Sequence, residues 1–476
     1  MIGKNILSMS GLSLYRNVIQ FGMNIAVAMF VSPGDYGLVV FTTPFVVLVA
    51  MLTDLGMTSA ITRARSLSRE EAGAAMGAMM TGGAVCASLL VLAAWPIERA
   101  IEMPGLAPVM AAMAGVVVLS ISAATPRALL ERHLRYGRIA GMEAAAIALA
   151  SAAGIAAATQ GWGVWSLVLY NLLLQAIRLA GFGWTVRGEL RPNLQVRRLG
   201  TLLSFGGWVL ATNILNFLSR NSDNLLIGAS LGATAVGVYG LAYQFMLAPL
   251  MAITWPTSGI LLATLRNEDP RGSRARAMVE SVLSLTALVV VPAMLYLTFG
   301  LAFPVRALLS DRWAAVPPIV AWLAPVGALQ AIASYNGTLL MVAGRAREQF
   351  ALTIVNALVL VVTFVLALPF GLMALVQAYT IVGTLLSCAF LAMIVALTGL
   401  GLQRLARALA PALLATAAGV VAASVIGTHP ATWLAWVGVT ASYVVVVLAC
   451  YALLHIHVRQ TISVLMAREP VCATGT

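Results

Sequence analysis

Apolar runs of about twenty residues recur along this chain from residue 8 to residue 455 with only short breaks. No other feature limits its fold as strongly. A helix needs about 20 residues to cross the roughly 30 Å hydrocarbon core of a bilayer. There, only helices and closed barrels can satisfy their own backbone polar groups. Apolar residues make up 61% of the chain and charged residues 9%, so a soluble fold could not hide this surface. A transmembrane barrel requires apolar and polar residues to alternate, whereas these runs are continuous. The expected fold is therefore all-α and integral to the membrane. Fourteen spans are read at 8–32, 36–61, 72–95, 107–126, 139–158, 163–185, 203–231, 235–262, 278–302, 317–343, 350–368, 372–396, 410–427 and 432–455.

The net charge of +12 invites a nucleic-acid reading, but its distribution excludes one. Alternate loops are basic. They hold Arg63, Arg65 and Arg69; Arg127, Arg132, Arg135 and Arg138; Arg187, Arg191, Arg197 and Arg198; Arg266, Arg271, Arg274 and Arg276; Arg345 and Arg347; Arg404 and Arg407. Lys4, Arg459 and Arg468 fall on the same side, while the opposite loops hold only Arg99, Arg306 and Arg312. The positive-inside rule then places both termini in the cytoplasm, which requires an even number of spans. The expected location is the cell inner (cytoplasmic) membrane. The first apolar run is too long for the h-region of a cleavable signal and lacks a cleavage site, so it is read as the first span. Cys86, Cys388, Cys450 and Cys472 have neither disulfide nor metal-ligand spacing. No loop is long enough for a folded soluble domain.

Two polar stripes interrupt the apolar runs. Ser13, Arg16, Asn17, Gln20 and Asn24 share one helix face, and Asn213, Asn216, Arg220, Asp223 and Asn224 share another. An offset of 200 pairs Ser13 with Asn213, Arg16 with Asn216, Gln20 with Arg220 and Asn24 with Asn224. The same offset sets Pro33-Gly34-Asp35-Tyr36-Gly37 against Ala233-Thr234-Ala235-Val236-Gly237, each joining two spans by a short extracytoplasmic turn. It equals six spans, so parallel repeats are expected, related by a pseudo-twofold along the membrane normal with the substrate site between them. The expected organisation is an N-lobe at 1–200, a C-lobe at 201–400, two extra spans at 401–456 and a cytoplasmic tail at 457–476.

The turn Pro33–Gly37 followed by Asp54-Leu55-Gly56, and the loop Leu130-Glu131-Arg132-His133-Leu134-Arg135-Tyr136, resemble segments of the Wzx-type polysaccharide flippases. These belong to the multidrug/oligosaccharidyl-lipid/polysaccharide superfamily. Asn221-Ser222-Asp223-Asn224-Leu225-Leu226-Ile227-Gly228, followed by Gly237-Val238-Tyr239-Gly240-Leu241-Ala242-Tyr243, is the most telling match. The resemblance implies two six-helix lobes plus two C-terminal helices. It also implies movement of an undecaprenyl-diphosphate-linked oligosaccharide from the cytoplasmic to the periplasmic leaflet by alternating access, for exopolysaccharide or lipopolysaccharide biosynthesis. A polysaccharide polymerase and co-polymerase are the partners it implies, besides the bilayer.

The residues fit that cargo. Arginine stays charged and grips phosphate oxygens through paired hydrogen bonds. Amides donate to and accept from sugar hydroxyls without adding charge. Arg16 and Arg220 are the expected headgroup contacts, with Asn17, Gln20, Asn24, Asn213, Asn216 and Asn224 lining the same cavity. Intramembrane acids are candidate ion sites. Asp223, on the stripe, and Asp54 are the candidates for coupling, Asp54 being also a brace for the cytoplasmic end of the N-lobe. An Arg220–Asp223 pair is the structural alternative for that stretch. Arg178 is expected to snorkel to the cytoplasmic surface near Gln175, Glu143 to pair near a basic loop, and Glu280 to pair with Arg276. Pro44, Pro249, Pro292 and Pro325 mark kinks, and Gly73–Gly77 and Gly228–Gly232 fit small-xxx-small helix packing.

No phosphate loop, HExxH or CxxC pattern occurs. No cofactor, metal or enzymatic activity is expected. A lipid II-type flippase is the nearest alternative. A cation-coupled multidrug exporter is less favoured by the two arginines and the extra spans. A membrane polymerase or glycosyltransferase would need longer periplasmic loops carrying acids.

Overall fold

The structure, a computed structural model, describes residues 2–64, 67–188, 190, 192–194, 200–266, 268–427 and 430–453. The side chains of residues 2–14, 63, 200–216, 218–220, 252 and 255 lie outside that description. The described chain is helical throughout. The helices are α1 (Ile2–Ala28), α2 (Pro33–Asp54), α3 (Met57–Arg63), α4 (Arg69–Ile101), α5 (Leu106–Arg132), α6 (Tyr136–Thr159), α7 (Val164–Val186) and α8 (Gly200–Leu265). They continue with α9 (Ser273–Gly300), α10 (Ala302–Leu309), α11 (Val316–Ala333), α12 (Tyr335–Val342), α13 (Ala346–Ala367), α14 (Leu372–Thr398), α15 (Leu402–Ile426) and α16 (Trp433–Leu453).

Among the described residues, twelve helical stretches are long and apolar enough to cross a membrane. With α1 and the first part of α8 they make fourteen long helices, as the apolar runs predict. Some boundaries differ from the reading, each for a local reason. Residues 33–37 form the first turn of α2 instead of a loop. Ser32 caps it by accepting from the Asp35 amide at 3.1 Å, with Pro33 at the first helical position. The second span breaks at Leu55 and Gly56, both in the left-handed region, and restarts as α3. The seventh and eighth spans run together as α8, interrupted only at Gly232 (φ 83°, ψ 178°), a conformation that glycine reaches without strain.

The chain divides into two compact units. The first holds residues 1–241 and 364–372; the second holds 242–363 and 373–476. In the first, α5 is the central helix. It packs on α2, α3, α4, α6 and α7, and α1 packs on α6. Its buried residues, among them Leu106, Met110, Val117, Ile121 and Leu129, face neighbours on nearly every side, as expected for a helix that is apolar all round. In the second, α9 packs on α11 and α15, and α15 on α16.

A repeat is visible in the loop geometry. After α5, His133 N donates to Leu129 O, Leu134 N to Glu131 O, Arg135 N to Leu130 O, Arg138 N to Arg135 O and Ile139 N to Arg135 O. After α12 the same five bonds run from Ala343, Gly344, Arg345, Glu348 and Gln349 to Leu339, Met341, Leu340, Arg345 and Arg345. Every donor and acceptor is shifted by 210. Gly161 and Gly371, 210 apart, both have positive φ (80° and 88°). The change from an offset of 200 to 210 falls between α9 and α11, where α10 and a short 3-10 turn at Asp311–Trp313 stand opposite the tighter α4–α5 connection.

Candidate functional site

Three features of the first unit concern function: a helix crossing, a polar cavity and a charged knot. At the crossing, the first turns of α2 meet residues 228–240 of α8. A Cβ on Gly37 would strike the Ala233 carbonyl, and one on Gly237 would strike the Pro33 carbonyl. The offset of 200 turns each contact into the other, so the crossing is reciprocal. Further along, Gly228 lies against the Phe41 ring and Gly240 against Val40. Inside a bilayer helices gain little from burying apolar surface against one another, and close backbone approach through small residues supplies the attraction instead. The small-xxx-small stretch at Gly228–Gly232 therefore serves this crossing and the break that follows it. At the stretch Gly73–Gly77 the segment at Asn193 covers the glycines: a Cβ on Gly77 would strike the Asn193 carbonyl, Asn193 N donates to Gly73 O at 3.0 Å and Asn193 Nδ2 to Glu70 O at 3.0 Å.

The cavity, of about 500 Å³, lies among α2, α3, α5 and α7. Asp54 lines it. Its Oδ1 accepts from the amide of Thr58 at 3.2 Å and from the Thr58 hydroxyl, so the Asp54-Leu55-Gly56 motif ends α2 and caps α3 in one step. Thr43, Ser59, Ser120, Asn171 and Gln175 also line it, with Val46, Val47, Met51 and Met113 as apolar wall. Neither lysine nor arginine is among its described lining residues.

The knot lies on α5, α6 and α7. Glu143 is 3% exposed. Its Oε2 accepts from Arg178 Nη2 at 2.5 Å and Nε at 3.0 Å, and its Oε1 from Arg127 Nη1 at 3.3 Å. Arg127 also donates to Glu131 at 3.0 Å. Arg178 is thus paired inside the bundle and does not snorkel. The partner, 35 positions away, is desolvated enough that losing both arginines would leave a buried charge unmatched. In the second unit Arg276 donates to the Arg271 carbonyl at 2.9 and 2.5 Å instead of pairing with Glu280.

The polar stripes are described only in part. On α1, Arg16 and Asn17 are half-buried and Gln20 is exposed. Asn24 is half-buried and has a partner. The opposite face carries the packing, with Met23 and Val27 buried and Tyr15 donating to Ala144 O of α6 at 3.3 Å. Among the described residues Arg16 makes no ion pair. The side chains of Ser13, Asn213, Asn216 and Arg220 lie outside the described residues. Asp223 is 6% exposed. Its Oδ2 accepts from Tyr239 at 3.0 Å and its Oδ1 from the Asn224 amide at 2.8 Å. The first bond ties the two spans of α8 together across Gly232. Among the described residues Asn224 Oδ1 is buried with no hydrogen-bond partner, which marks an acceptor open to something else. None of Arg16, Asn17, Gln20 and Asn24 lines the cavity beside Asp54. The sequence names Gln175 only as a neighbour of Arg178 and leaves Asn171 aside, although their spacing of four on an apolar span is the kind of signal that exposed the stripes.

A family model described as polysaccharide biosynthesis protein matches residues 26–318. The lipopolysaccharide biosynthesis protein WzxC of Escherichia coli K12 is 24% identical over 348 residues, 71% of this chain and 70% of WzxC. The succinoglycan biosynthesis transport protein ExoT of Rhizobium meliloti 1021 is 24% identical over 329 residues, 68% of this chain and 65% of ExoT. Among solved structures, the lipid II flippase MurJ in its inward closed conformation matches with a TM-score of 0.75 over 94% of this chain and 99% of that one. At 12% identity that likeness is one of fold. With the family model spanning well over half its length, this multi-pass membrane protein belongs to the polysaccharide biosynthesis protein family.

Proposed function

We propose that the protein is a flippase that carries an undecaprenyl-diphosphate-linked oligosaccharide repeat unit from the cytoplasmic to the periplasmic leaflet by alternating access, for exopolysaccharide or lipopolysaccharide biosynthesis. The carrying observation is the conjunction of family and fold: a chain of polysaccharide biosynthesis has the architecture of a flippase for a lipid-linked saccharide. The reciprocal glycine crossing and the hydrogen bonds repeated at 210 support two lobes, 1–200 and 201–400, around a pseudo-twofold. The basic loops support cytoplasmic termini in the inner membrane. A polymerase and co-polymerase are the downstream partners of such a cargo.

Arg16 and Arg220 are the diphosphate contacts in this reading. Asn17, Gln20, Asn24, Asn213, Asn216 and Asn224 face the polar headgroup beside them. The unpartnered Asn224 Oδ1 supports that role. Asp223 is the acid assigned to ion coupling, because it is buried on the stripe itself. Deletion is expected to make a lipid-linked repeat unit accumulate. Arg→Ala at either position should abolish export with protein level and topology intact, and Arg→Lys should keep part of it. In vesicles from the same cells, Asp223→Asn should remove dependence on a pH gradient. Full export by the double Ala variant would sink the headgroup assignment. Accumulation of a peptidoglycan precursor instead would favour the lipid II reading, which the fold match supports.

A further inference from the structure

We propose that the cavity beside Asp54 is a subsite for the uncharged saccharide of the cargo, separate from the arginines that take its diphosphate. The inference rests on the flippase reading and adds to it where the sugar sits and which side chains hold it.

The lining excludes the charged part of the cargo. Among the described residues it offers one carboxylate and neither lysine nor arginine, so a diphosphate would lose hydration there and meet repulsion in return. Arg178 Nη1 reaches the lining residue Gln175 only at 3.5 Å from Oε1, and its charge is taken by Glu143. A bare metal ion is a poor fit as well. About 500 Å³ lies within the roughly 300–1,000 Å³ usual for small-molecule sites, and one carboxylate does not surround an ion with oxygens.

What remains matches a polyol. Asp54 commits Oδ1 to Thr58, and among the described residues Oδ2 accepts nothing. Asn171 spends Nδ2 on the Leu167 carbonyl at 2.9 Å and keeps Oδ1. Among the described residues Gln175 keeps both hydrogens of Nε2, its Oε1 being the atom near Arg178. The hydroxyls of Thr43 and Ser120 donate to their own helices at 2.7 and 2.9 Å, which leaves their lone pairs for a ligand. Acceptors and donors therefore face the same space. Such a mixed set suits sugar hydroxyls, each of which both donates and accepts. Val46, Val47 and Met113 offer an apolar wall for the C–H face of a pyranose. Thr43 and Asp54 stand eleven residues apart on α2, about 16 Å at 1.5 Å per residue, which gives the site the length of a short saccharide.

The test uses the purified full chain and two probes. One is the undecaprenyl-diphosphate-linked saccharide that accumulates in cells deleted for the gene; the other is undecaprenyl diphosphate alone. Asn171→Leu with Gln175→Leu, and separately the nearly isosteric Asp54→Asn, should weaken the saccharide-bearing lipid by about tenfold, a loss of about 1.4 kcal/mol. They should leave undecaprenyl diphosphate binding unchanged. Arg16→Ala should weaken both. Equal loss for both probes, no loss for either, or a wild-type protein indifferent to the saccharide would overturn the subsite. So would an Asp54→Asn variant that keeps saccharide affinity but loses a Na⁺ or pH dependence of transport. An Arg16→Ala variant that binds both probes normally would instead break the headgroup reading and leave the saccharide result standing.

Discussion

The crossing of α2 with α8 and the contact of α16 with α9 hold helices together by opposite means. At the crossing, glycines bring backbone against backbone, and the reciprocal contacts of Gly37 and Gly237 leave no room for a methyl group. At α9, α16 is tied by side chains. Tyr296 and Thr440 share a hydrogen bond of 2.6 Å, Trp436 Nε1 donates to Gly300 O at 2.8 Å, Tyr443 to Pro292 O at 2.9 Å and Tyr451 to Leu288 O at 2.6 Å. Tyr296, Phe299 and Tyr443 stack edge-on or tilted beside them. The Leu288 carbonyl is the one that Pro292, lacking an N–H, cannot serve. The glycine contacts at the α2–α8 crossing can part and re-form without breaking directional bonds. A contact that repairs a proline gap holds its two helices as one body. The difference teaches which joint can move in an alternating-access cycle and which travels as a unit.

Locking the crossing is the strongest way to break that contrast. A Cβ at Gly34 would lie 3.4 Å from Thr234 Oγ1, the place a cysteine sulfur would occupy at 234. That is near enough for a small rotation to reach disulfide geometry. The Gly34→Cys, Thr234→Cys pair, in a background without the native cysteines, should cross-link on oxidation and lose export entirely. Reductant should restore it, and either single cysteine should be silent. A cross-linked protein that exports at the normal rate would show that this joint never opens.

The spans were legible from the apolar runs because a bilayer leaves a backbone few choices. The pairing of Gly37 with Gly237 was legible from spacing alone, although both lie in helices and not in the turns that the sequence suggests. Their touching was not, since an offset between two segments carries no distance. Arg178 shows the same limit. Its partner Glu143 is 35 positions away on another helix, so a sequence scan along one helix finds only Gln175. Asn171 and Gln175 were visible as polar residues in a span, but which face of α7 they take depends on how α5 and α2 pack against it. The merger of two spans into α8 was hidden by Gly232, whose left-handed backbone lets both helices approach without a loop.

A smaller perturbation sharpens the comparison. Gly37→Ala sets a methyl against the Ala233 carbonyl, and backbone is less able to yield than a side chain. Overpacking of this kind costs about 1–3 kcal/mol. The arrangement with the crossing closed should lose about tenfold in population for each 1.4 kcal/mol. Export should fall several-fold at unchanged protein level, and a cysteine at 34 should become more reactive toward a membrane-impermeant thiol reagent. Gly22→Ala on α1, where nothing stands within 4 Å of the new carbon, is the control and should change neither. If Gly37→Ala exports and labels like the parent, the crossing is as permanent as the α9–α16 contact.

The smallest effect tests the other side of the comparison. If Tyr451 serves the carbonyl that Pro292 leaves open, its value depends on that proline. Tyr451→Phe should lower the thermal midpoint of the purified protein by the worth of one intramembrane hydrogen bond, about 0.6 kcal/mol and at most about 1.7. Export should be untouched, because both helices still move together. Pro292→Ala returns an N–H to the helix and gives Leu288 O an ordinary partner. In that background Tyr451→Phe should cost almost nothing, so the double-mutant cycle should show a coupling of about 0.5 kcal/mol or more. An equal cost in both backgrounds would mean that the Tyr451 hydroxyl merely decorates α9. The joint would then rest on aromatic packing, and nothing in its hydrogen bonds would distinguish it from a contact able to slide.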